Sequence, residues 1–149
     1  MSKTLLYYHI VFATKKRQTI LNPEKETSLF RYIMTTIENI GGKLIRINAA
    51  FNHIHILTTI PASVCVSDFV GTVKRSSSLY ISTSGLFPKF GGWAREYYAE
   101  SVSPDSVESV KNYIINQKEH HLIEKFEDEW IRILPEKERA RWEWRFLDD

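Results

Sequence analysis

The chain has 149 residues, a length that fits one domain, and its 43% hydrophobic and 26% charged residues are typical of a globular protein rather than a disordered one. No apolar run approaches the length of a membrane-spanning helix, and the first residues lack the pattern of a signal peptide. The single cysteine, Cys65, allows neither an internal disulfide nor a thiolate zinc cluster within one chain. We therefore expect a cytoplasmic protein that does not associate with membranes.

The net charge of +2 conceals an asymmetry along the chain. Residues 1–99 hold 12 lysines and arginines against 5 acidic residues, whereas residues 100–149 hold 8 against 13. A basic body permits a polyanionic partner. Charge alone, however, favours an ordinary solvated surface over such a partner.

The first half of the chain alternates between strand and helix patterns. Residues 5–14 are aromatic and β-branched, which predicts a buried strand. Asn22-Pro23-Glu24 predicts a helix start, and apolar residues at helical spacing continue the helix until Gly41-Gly42 ends it. Residues 43–51 and 53–60 then predict two strands that pair as a hairpin around a turn at Asn52.

The second half predicts a helix capped by Ser67-Asp68, a loop over 84–92, and a fourth strand over 93–102. Ser103-Pro104-Asp105 begins another helix, and residues 126–138 predict a last one.

The order β-α-β-β-α-β-α-α predicts an α+β protein with a ferredoxin-like split βαβ sandwich. We expect one antiparallel sheet of four or five strands with helices on one face. The domain would span residues 1–149, with a core over about 5–103 and additional C-terminal helices over about 104–149.

The strongest chemical signal is His53-Ile54-His55. Because residues two apart on a strand project from the same face, both imidazoles can share one metal ion while Ile54 points into the core. A further oxygen donor would make the site suitable for magnesium or manganese. On general grounds, an isolated pair of this kind is more often one satisfied polar histidine and one exposed histidine.

Tyr113 and Gln117 are four residues apart and share one face of the helix predicted after Pro104. The amide oxygen of Gln117 could be a third metal ligand, and the phenol of Tyr113 could be a nucleophile. Alone, the pattern is better explained by Tyr113 packing in the core and Gln117 lying in solvent.

Other catalytic patterns are absent from the sequence. There is no Gly-x-Ser-x-Gly nucleophile elbow and no phosphate-binding Gly-Lys-Ser/Thr loop. No histidine is followed two residues later by serine or threonine, which excludes the two-histidine phosphoesterases. His120-His121 is interpreted as structural or related to dimer formation.

An ordered set of segments resembles the HUH-type single-tyrosine transposases of small insertion sequences (the insertion sequence 200/605 family) and their relatives associated with repetitive extragenic palindromes (REP). The segments span roughly residues 5–134 and keep the family's order. They are Tyr8-His9-Ile10-Val11-Phe12-Ala13-Thr14-Lys15-Lys16-Arg17, Asn52-His53-Ile54-His55-Ile56-Leu57, Val73-Lys74-Arg75-Ser76-Ser77-Ser78, Trp93-Ala94-Arg95-Glu96-Tyr97-Tyr98, Tyr113-Ile114-Ile115-Asn116-Gln117-Lys118-Glu119-His120-His121 and Phe126-Glu127-Asp128-Glu129.

The resemblance implies an enzyme that cleaves and rejoins single-stranded DNA and recognises hairpins near the ends of its element. By position, His53, His55 and Gln117 correspond to the ligands of a divalent ion, Mg²⁺ or Mn²⁺, and Tyr113 corresponds to the nucleophile. The family's dimers imply a homodimer in which the tyrosine helix can come from the partner subunit. The chain departs from the family at Asn52, where many relatives have aspartate, at Glu96, where they often have glycine, and in the tail from 134 to 149.

We hypothesise that Tyr113 attacks the scissile phosphate, forms a 5′-phosphotyrosine and releases a 3′-hydroxyl. Six basic residues are candidates for phosphate contacts, and exposed aromatic rings are candidates for stacking on unpaired bases. The basic residues are Lys15, Lys16, Arg17, Arg46, Lys74 and Arg75.

Two other functions share these features. A domesticated hairpin-binding protein without transposition activity would keep the same fold and basic residues. A plain metal-binding or interaction protein would explain the histidine pair but not the ordered set of segments.

Overall fold

The computed structural model describes residues 2–118, in which four strands form one antiparallel sheet. The strands are β1 (Tyr7–Ala13), β2 (Leu44–Ala50), β3 (His53–Thr59) and β4 (Tyr98–Val102), and their order across the sheet is β2-β3-β1-β4. This arrangement confirms the predicted α+β class and the predicted hairpin between β2 and β3. Strand β1 lies between β3 and β4, so it is a central strand.

In the described part of the chain, three α-helices accompany the sheet. They are α1 (Glu26–Ile40), α2 (Val66–Ser84) and α3 (Val107–Ile115), and two short 3₁₀ turns cover Lys15–Arg17 and Pro104–Ser106. None of the helices within residues 2–118 is long and apolar enough to cross a membrane.

The larger core lies between the sheet and helices α1 and α2. Because side chains alternate along a strand, one face of β1 and β3 presents mainly large apolar residues to these helices. Burying each large side chain stabilises the fold by roughly 1.5–3 kcal/mol. The core side chains include Ile10, Phe12, Ile54, Ile56, Leu29, Ile33, Ile37, Phe69, Val70, Val73 and Ile81.

The opposite face of the sheet is covered by α3 and has a smaller apolar cluster. Leu57, Val102 and Ile114 are its buried members, and Tyr113 packs against them. The polar residues of β1 and β3 that alternate along each strand with the core residues therefore lie on the face covered by α3. This second face holds the candidate site.

The fourth strand is shorter than the predicted 93–102. Trp93 makes only an isolated bridge with Thr14, and the regular ladder begins at Tyr98. The Nζ of Lys74 donates to the carbonyl oxygens of Ala94 (2.6 Å) and Arg95 (3.1 Å). Because these carbonyls are bound by a side chain from α2, they do not continue the ladder, and the chain enters β4 only after them.

Two helix starts also differ from prediction. The Oδ1 of Asn22 accepts a hydrogen bond from the backbone of Glu24 (3.0 Å), so Asn22 stabilises a turn that precedes α1. Helix α2 begins before Ser67-Asp68, with Cys65 at the N-cap position. The predicted end of α1 is confirmed, because Gly41 adopts a left-handed conformation (φ +102°) that favours glycine.

The predicted helix over 126–138 and the His120-His121 pair lie outside the described residues. The single domain over 1–149 stays a prediction.

Candidate active site

The histidine pair lies at the start of β3, on the face covered by α3. His53 and His55 are fully buried, and their ring centroids are 5.0 Å apart. The Oδ1 of Asn52 lies 2.8 Å from the Nδ1 of His53. With the Asn52 amide in this orientation its oxygen accepts from Nδ1–H of His53, and the Nε2 lone pair of His53 faces the amide of Gln117. The predicted shared face of the two histidines is thus observed.

Gln117, which follows α3, approaches His53 from above the same face of the sheet. Its side chain is fully buried, and its Nε2 lies 3.2 Å from the Nε2 of His53. Helix α3 ends at Ile115, Asn116 is a turn residue, and the chain is helical again at Gln117 and Lys118. The single helix that the four-residue spacing predicted is therefore interrupted at Asn116, but the amide of Gln117 still meets the histidine.

Asn48 holds the end of α3 over the sheet. The register places Asn48 opposite His55 on the neighbouring strand, and its side chain is buried. Its Nδ2 donates to the carbonyl oxygens of Ile114 (2.9 Å) and Ile115 (3.2 Å), which belong to the last turn of the helix.

Lys118 adds a second attachment beside Gln117. Its Nζ lies 2.7 Å from Oε1 of Glu26 on α1 and 2.8 Å from Oδ1 of Asn48. The residues on both sides of Gln117 are thus bound to the body of the fold. Sequence reasoning missed Asn48 and Lys118, because nothing in the local pattern shows that they meet.

Tyr113 lies on α3 next to the histidines. Its ring centroid is 5.8 Å from that of His55 and 6.3 Å from that of His9, and the side chain is half-buried. Tyr98 also approaches His9, at 6.3 Å between centroids, but it is buried and its hydroxyl donates to the carboxylate of Glu100. Of these two tyrosines, Tyr113 has the more accessible position.

His9 is a third histidine at this site, and the sequence did not assign it a role. Its Nε2 lies 2.8 Å from Nδ1 of His55, and both side chains are buried. The period-2 pattern alone shows that His9 and Val11 share a face of β1. Only the pairing of β1 with β3 shows that this is the face of His53 and His55.

The donor set suits a divalent ion with two nitrogen ligands and one oxygen ligand. Within residues 2–118, no three histidine, cysteine, aspartate or glutamate side chains form a metal cluster. A metal site here therefore depends on the amide of Gln117, whose oxygen and nitrogen exchange places when the amide turns by half a rotation. Because the three side chains are buried and adjacent, with Gln117 against His53 and His53 beside His55, the residues fit such an ion.

Five of the six predicted basic residues fall into two places. The 3₁₀ turn Lys15–Arg17 follows β1 and is joined to the loop at Gly92 by the bond from Lys15 N to its carbonyl (2.8 Å). Lys74 and Arg75 line a groove of ≈ 490 Å³ with Gly92 and Trp93. The two basic segments are therefore neighbours.

Arg46 is separate from these segments. It is exposed on the edge strand β2, where the register shifts beside Leu44. The structure thus joins five of the six basic residues through the loop at Gly92.

Phe51 is an exposed aromatic ring at the tip of the β2-β3 hairpin. It is 52% exposed and is the only aromatic residue among the exposed large hydrophobic residues of the described part of the chain. Its carbonyl accepts from Leu21 N (2.9 Å), and the next carbonyl, of Asn52, accepts from Thr14 N (2.9 Å). These bonds fix the hairpin tip beside the basic turn Lys15–Arg17. Phe51 precedes His53 by two residues in the sequence.

Comparison with known proteins places this chain among transposases. The family described as Transposase IS200 like matches residues 2–117. The transposase for insertion sequence element IS200 of Salmonella typhimurium is 30% identical over 122 residues, which cover 75% of this chain and 76% of that protein. The ISDra2 transposase TnpA of Deinococcus radiodurans is 24% identical over 117 residues, covering 75% and 84% of the two chains.

Solved structures share the fold. A candidate transposase from Deinococcus radiodurans R1 superposes with a TM-score of 0.62 at 23% identity, covering 79% of this chain and 95% of that one. A REP-associated tyrosine transposase bound to a REP hairpin superposes with a TM-score of 0.60 at 15% identity, covering 81% and 74%.

Proposed function

Because the chain belongs to the IS200-like transposase family, we propose that it cleaves and rejoins single-stranded DNA through a covalent bond to Tyr113. In this proposal His53, His55 and Gln117 bind one Mg²⁺ or Mn²⁺ ion. The observation that carries the proposal is the convergence of Tyr113 and Gln117 from the C-terminal segment onto two buried histidines of β3.

The chemistry is an exchange of phosphodiester bonds. The phenolic oxygen of Tyr113 attacks phosphorus, the bond from phosphorus to the 3′-oxygen breaks, and the products are a 5′-phosphotyrosine and a 3′-hydroxyl. The phenol loses its proton, and the leaving 3′-oxygen gains one. Attack by a different 3′-hydroxyl reverses the step and joins new ends, so no nucleoside triphosphate is consumed.

A divalent ion would withdraw charge from the phosphate oxygens, which is useful because a free phenol, with a pKa near 10, is a poor nucleophile at neutral pH. The protein's part is to hold the ligands and the nucleophile in register. His53 is oriented by Asn52, and Gln117 is held by the attachments of Asn48 and Lys118 on either side of it. Such prior ordering lowers the entropic cost of reaching the reactive geometry.

The DNA would lie across the hairpin tip and the basic turn. The exposed Lys15 and Lys16 can neutralise backbone phosphates, and the exposed ring of Phe51 can stack on an unpaired base. Arg75 extends the basic surface along the groove beside Trp93. We assign Lys74 a second task, since its ammonium group already binds the carbonyls of the loop that borders this groove.

Hairpin DNA is the proposed substrate, in line with the REP hairpin bound by one structural relative. We further propose that the protein acts as a homodimer. In the described chain Tyr113 lies over the histidines of its own sheet, so exchange of the tyrosine helix between subunits would require the bonds of Asn48 and Lys118 to break.

The test is incubation of the full chain with labelled single-stranded hairpins taken from the DNA that flanks its gene, with Mg²⁺ or Mn²⁺. We expect a covalent protein–DNA adduct that survives denaturation, and its loss in Tyr113→Phe with DNA binding retained. Tyr98→Phe is the matched control and should still form the adduct. Binding without any adduct would instead identify a domesticated hairpin-binding protein. The absence of both binding and adduct would reject a role in DNA chemistry and favour a plain metal-binding or interaction protein.

If Tyr113→Phe cleaved at the wild-type rate, Tyr113 would not be the nucleophile. If cleavage continued in a chelator-treated His53→Ala/His55→Ala variant, the metal assignment would be wrong.

A further inference from the structure

His9 and His55 form a direct hydrogen bond between two buried imidazoles. The Nε2 of His9 lies 2.8 Å from Nδ1 of His55, and the rings stack with centroids 5.1 Å apart and planes 26° from parallel. His9 lies on the central strand β1, and β3 pairs with it along its whole length. The contact is therefore fixed by the two best-paired strands of the sheet.

This contact can exist in two forms between neutral rings. Either His55 carries its proton on Nδ1 and donates to His9, or His9 carries its proton on Nε2 and donates to His55. In the first form the Nε2 of His55 has a lone pair, and in the second it carries the proton. Only the first form leaves His55 able to bind a metal ion through Nε2.

We propose that His9 is the positioning residue of the metal site, because its Nε2 accepts the Nδ1 proton of His55 and holds that ring in the ligand tautomer. This inference rests on the proposed metal-binding role of His55. Metal-binding histidines commonly donate their second ring nitrogen to an acceptor that fixes the tautomer and the ring orientation.

The other proposed histidine ligand, His53, also has a hydrogen-bond partner at its Nδ1. His53 donates its Nδ1 proton to the Oδ1 of Asn52, 2.8 Å away. Each proposed histidine ligand thus has a hydrogen-bond acceptor on its Nδ1 side, supplied by a turn for His53 and by a neighbouring strand for His55. Both supports are neutral, so neither adds a negative charge to the site.

His9 also lies near two functional groups, the proposed ligand His55 and the proposed nucleophile Tyr113. Its ring lies 6.3 Å from the Tyr113 ring, while Tyr113 lies 5.8 Å from His55. A change at His9 would therefore act on the ligand through the hydrogen bond and would also alter the ring packing beside the nucleophile. Two substitutions separate these effects.

His9→Phe keeps an aromatic ring for stacking but has no acceptor, whereas His9→Gln loses the ring and restores an acceptor through its amide oxygen. Mn²⁺ affinity of the full chain is measured by electron paramagnetic resonance without DNA, so no cleavage is needed. We expect His9→Phe to weaken Mn²⁺ binding by roughly 10–100-fold and His9→Gln to recover most of that loss.

The ring ¹⁵N chemical shifts of His55 in the metal-free wild type provide a measurement that does not depend on any variant folding. We expect the proton on Nδ1. A proton on Nε2 would overturn the proposal, as would wild-type Mn²⁺ affinity in His9→Phe. Equal weakening in both variants would also overturn it, because ring packing rather than the acceptor would then matter.

These outcomes differ from failure of the metal site itself. If the wild-type chain bound no Mn²⁺, the proposed ligand set would be wrong, and the role of His9 would fall with it. If the wild type bound Mn²⁺ and His9→Phe bound it equally well, only the role of His9 would be rejected.

Discussion

Replacing Asn48 by aspartate should loosen the end of α3 without unfolding the sheet. The change keeps the shape of the side chain but removes both N–H donors, which now bind the carbonyls of Ile114 and Ile115 at 2.9 and 3.2 Å. Each lost bond costs about 1 kcal/mol, and the two carbonyls would then face a carboxylate. The contact of residue 48 with Lys118 is retained, but it would offset only a small part of the lost free energy, because the lysine side chain is 42% exposed.

We therefore expect Asn48→Asp to destabilise the attachment of α3 by about 2–4 kcal/mol. That is less than the stability of about 5–15 kcal/mol that a domain of this kind has, so the loss should appear as local opening. Amide hydrogen exchange over residues 107–118 should accelerate, while exchange in β1 and β3 stays near the wild-type rate. Mn²⁺ affinity should fall too, because Gln117 follows the released segment.

Asn112→Asp is the matched control for this experiment. It makes the same chemical change at an exposed position of the same helix, where we expect an effect below about 0.5 kcal/mol. If Asn48→Asp showed wild-type exchange over 107–118 and wild-type Mn²⁺ affinity, the hydrogen bonds of Asn48 would not hold the helix, and our account of how Gln117 is placed would be refuted.

Three further predictions concern the metal and the DNA. Asn52→Asp should tighten Mn²⁺ binding several-fold in calorimetry, since a carboxylate would accept the same hydrogen bond from His53 and add a negative charge; unchanged or weaker binding would contradict this. Phe51→Ala should weaken single-strand binding by about 1–3 kcal/mol in a fluorescence titration if the exposed ring stacks on a base, whereas unaltered affinity would rule out stacking there. Lys15→Ala and Lys16→Ala should each lower affinity and reduce the slope of log affinity against log salt by about 0.7, and an identical slope would mean that the residue contacts no phosphate.

Met34→Ala is the control for Phe51→Ala. Met34 on α1 is 39% exposed and does not line the groove beside Trp93, so its replacement also removes an exposed apolar side chain, but it offers no ring for stacking. We expect its DNA affinity to stay close to that of the wild type. A loss as large as that of Phe51→Ala would indicate a general effect of apolar surface.

The parts of the fold that the sequence predicts well depend on local patterns. The alternation along His53-Ile54-His55 correctly places both imidazoles on one face, because strand geometry alone determines it. The end of α1 is predicted by Gly41, whose left-handed conformation favours glycine. The family resemblance, rather than any pattern, assigned roles to Tyr113 and Gln117.

The features that the sequence could not predict arise from contacts between distant segments. The late start of β4 depends on Lys74, which binds two carbonyls about twenty residues away. The proximity of His9 to His55 requires the pairing of β1 with β3, and the support from Asn48 requires α3 to end directly over β2. Tertiary contacts of this kind override local propensity or leave no trace in the local sequence pattern.

The most direct measurement of the central claim is to locate the covalent link. The protein is incubated with a cleavable hairpin strand and a divalent ion, the adduct is digested with protease and nuclease, and the modified peptide is sequenced by mass spectrometry. Our account predicts a nucleotide attached through its 5′-phosphate to Tyr113. Attachment to Tyr98 or any other residue, or cleavage without any attached nucleotide, would contradict it.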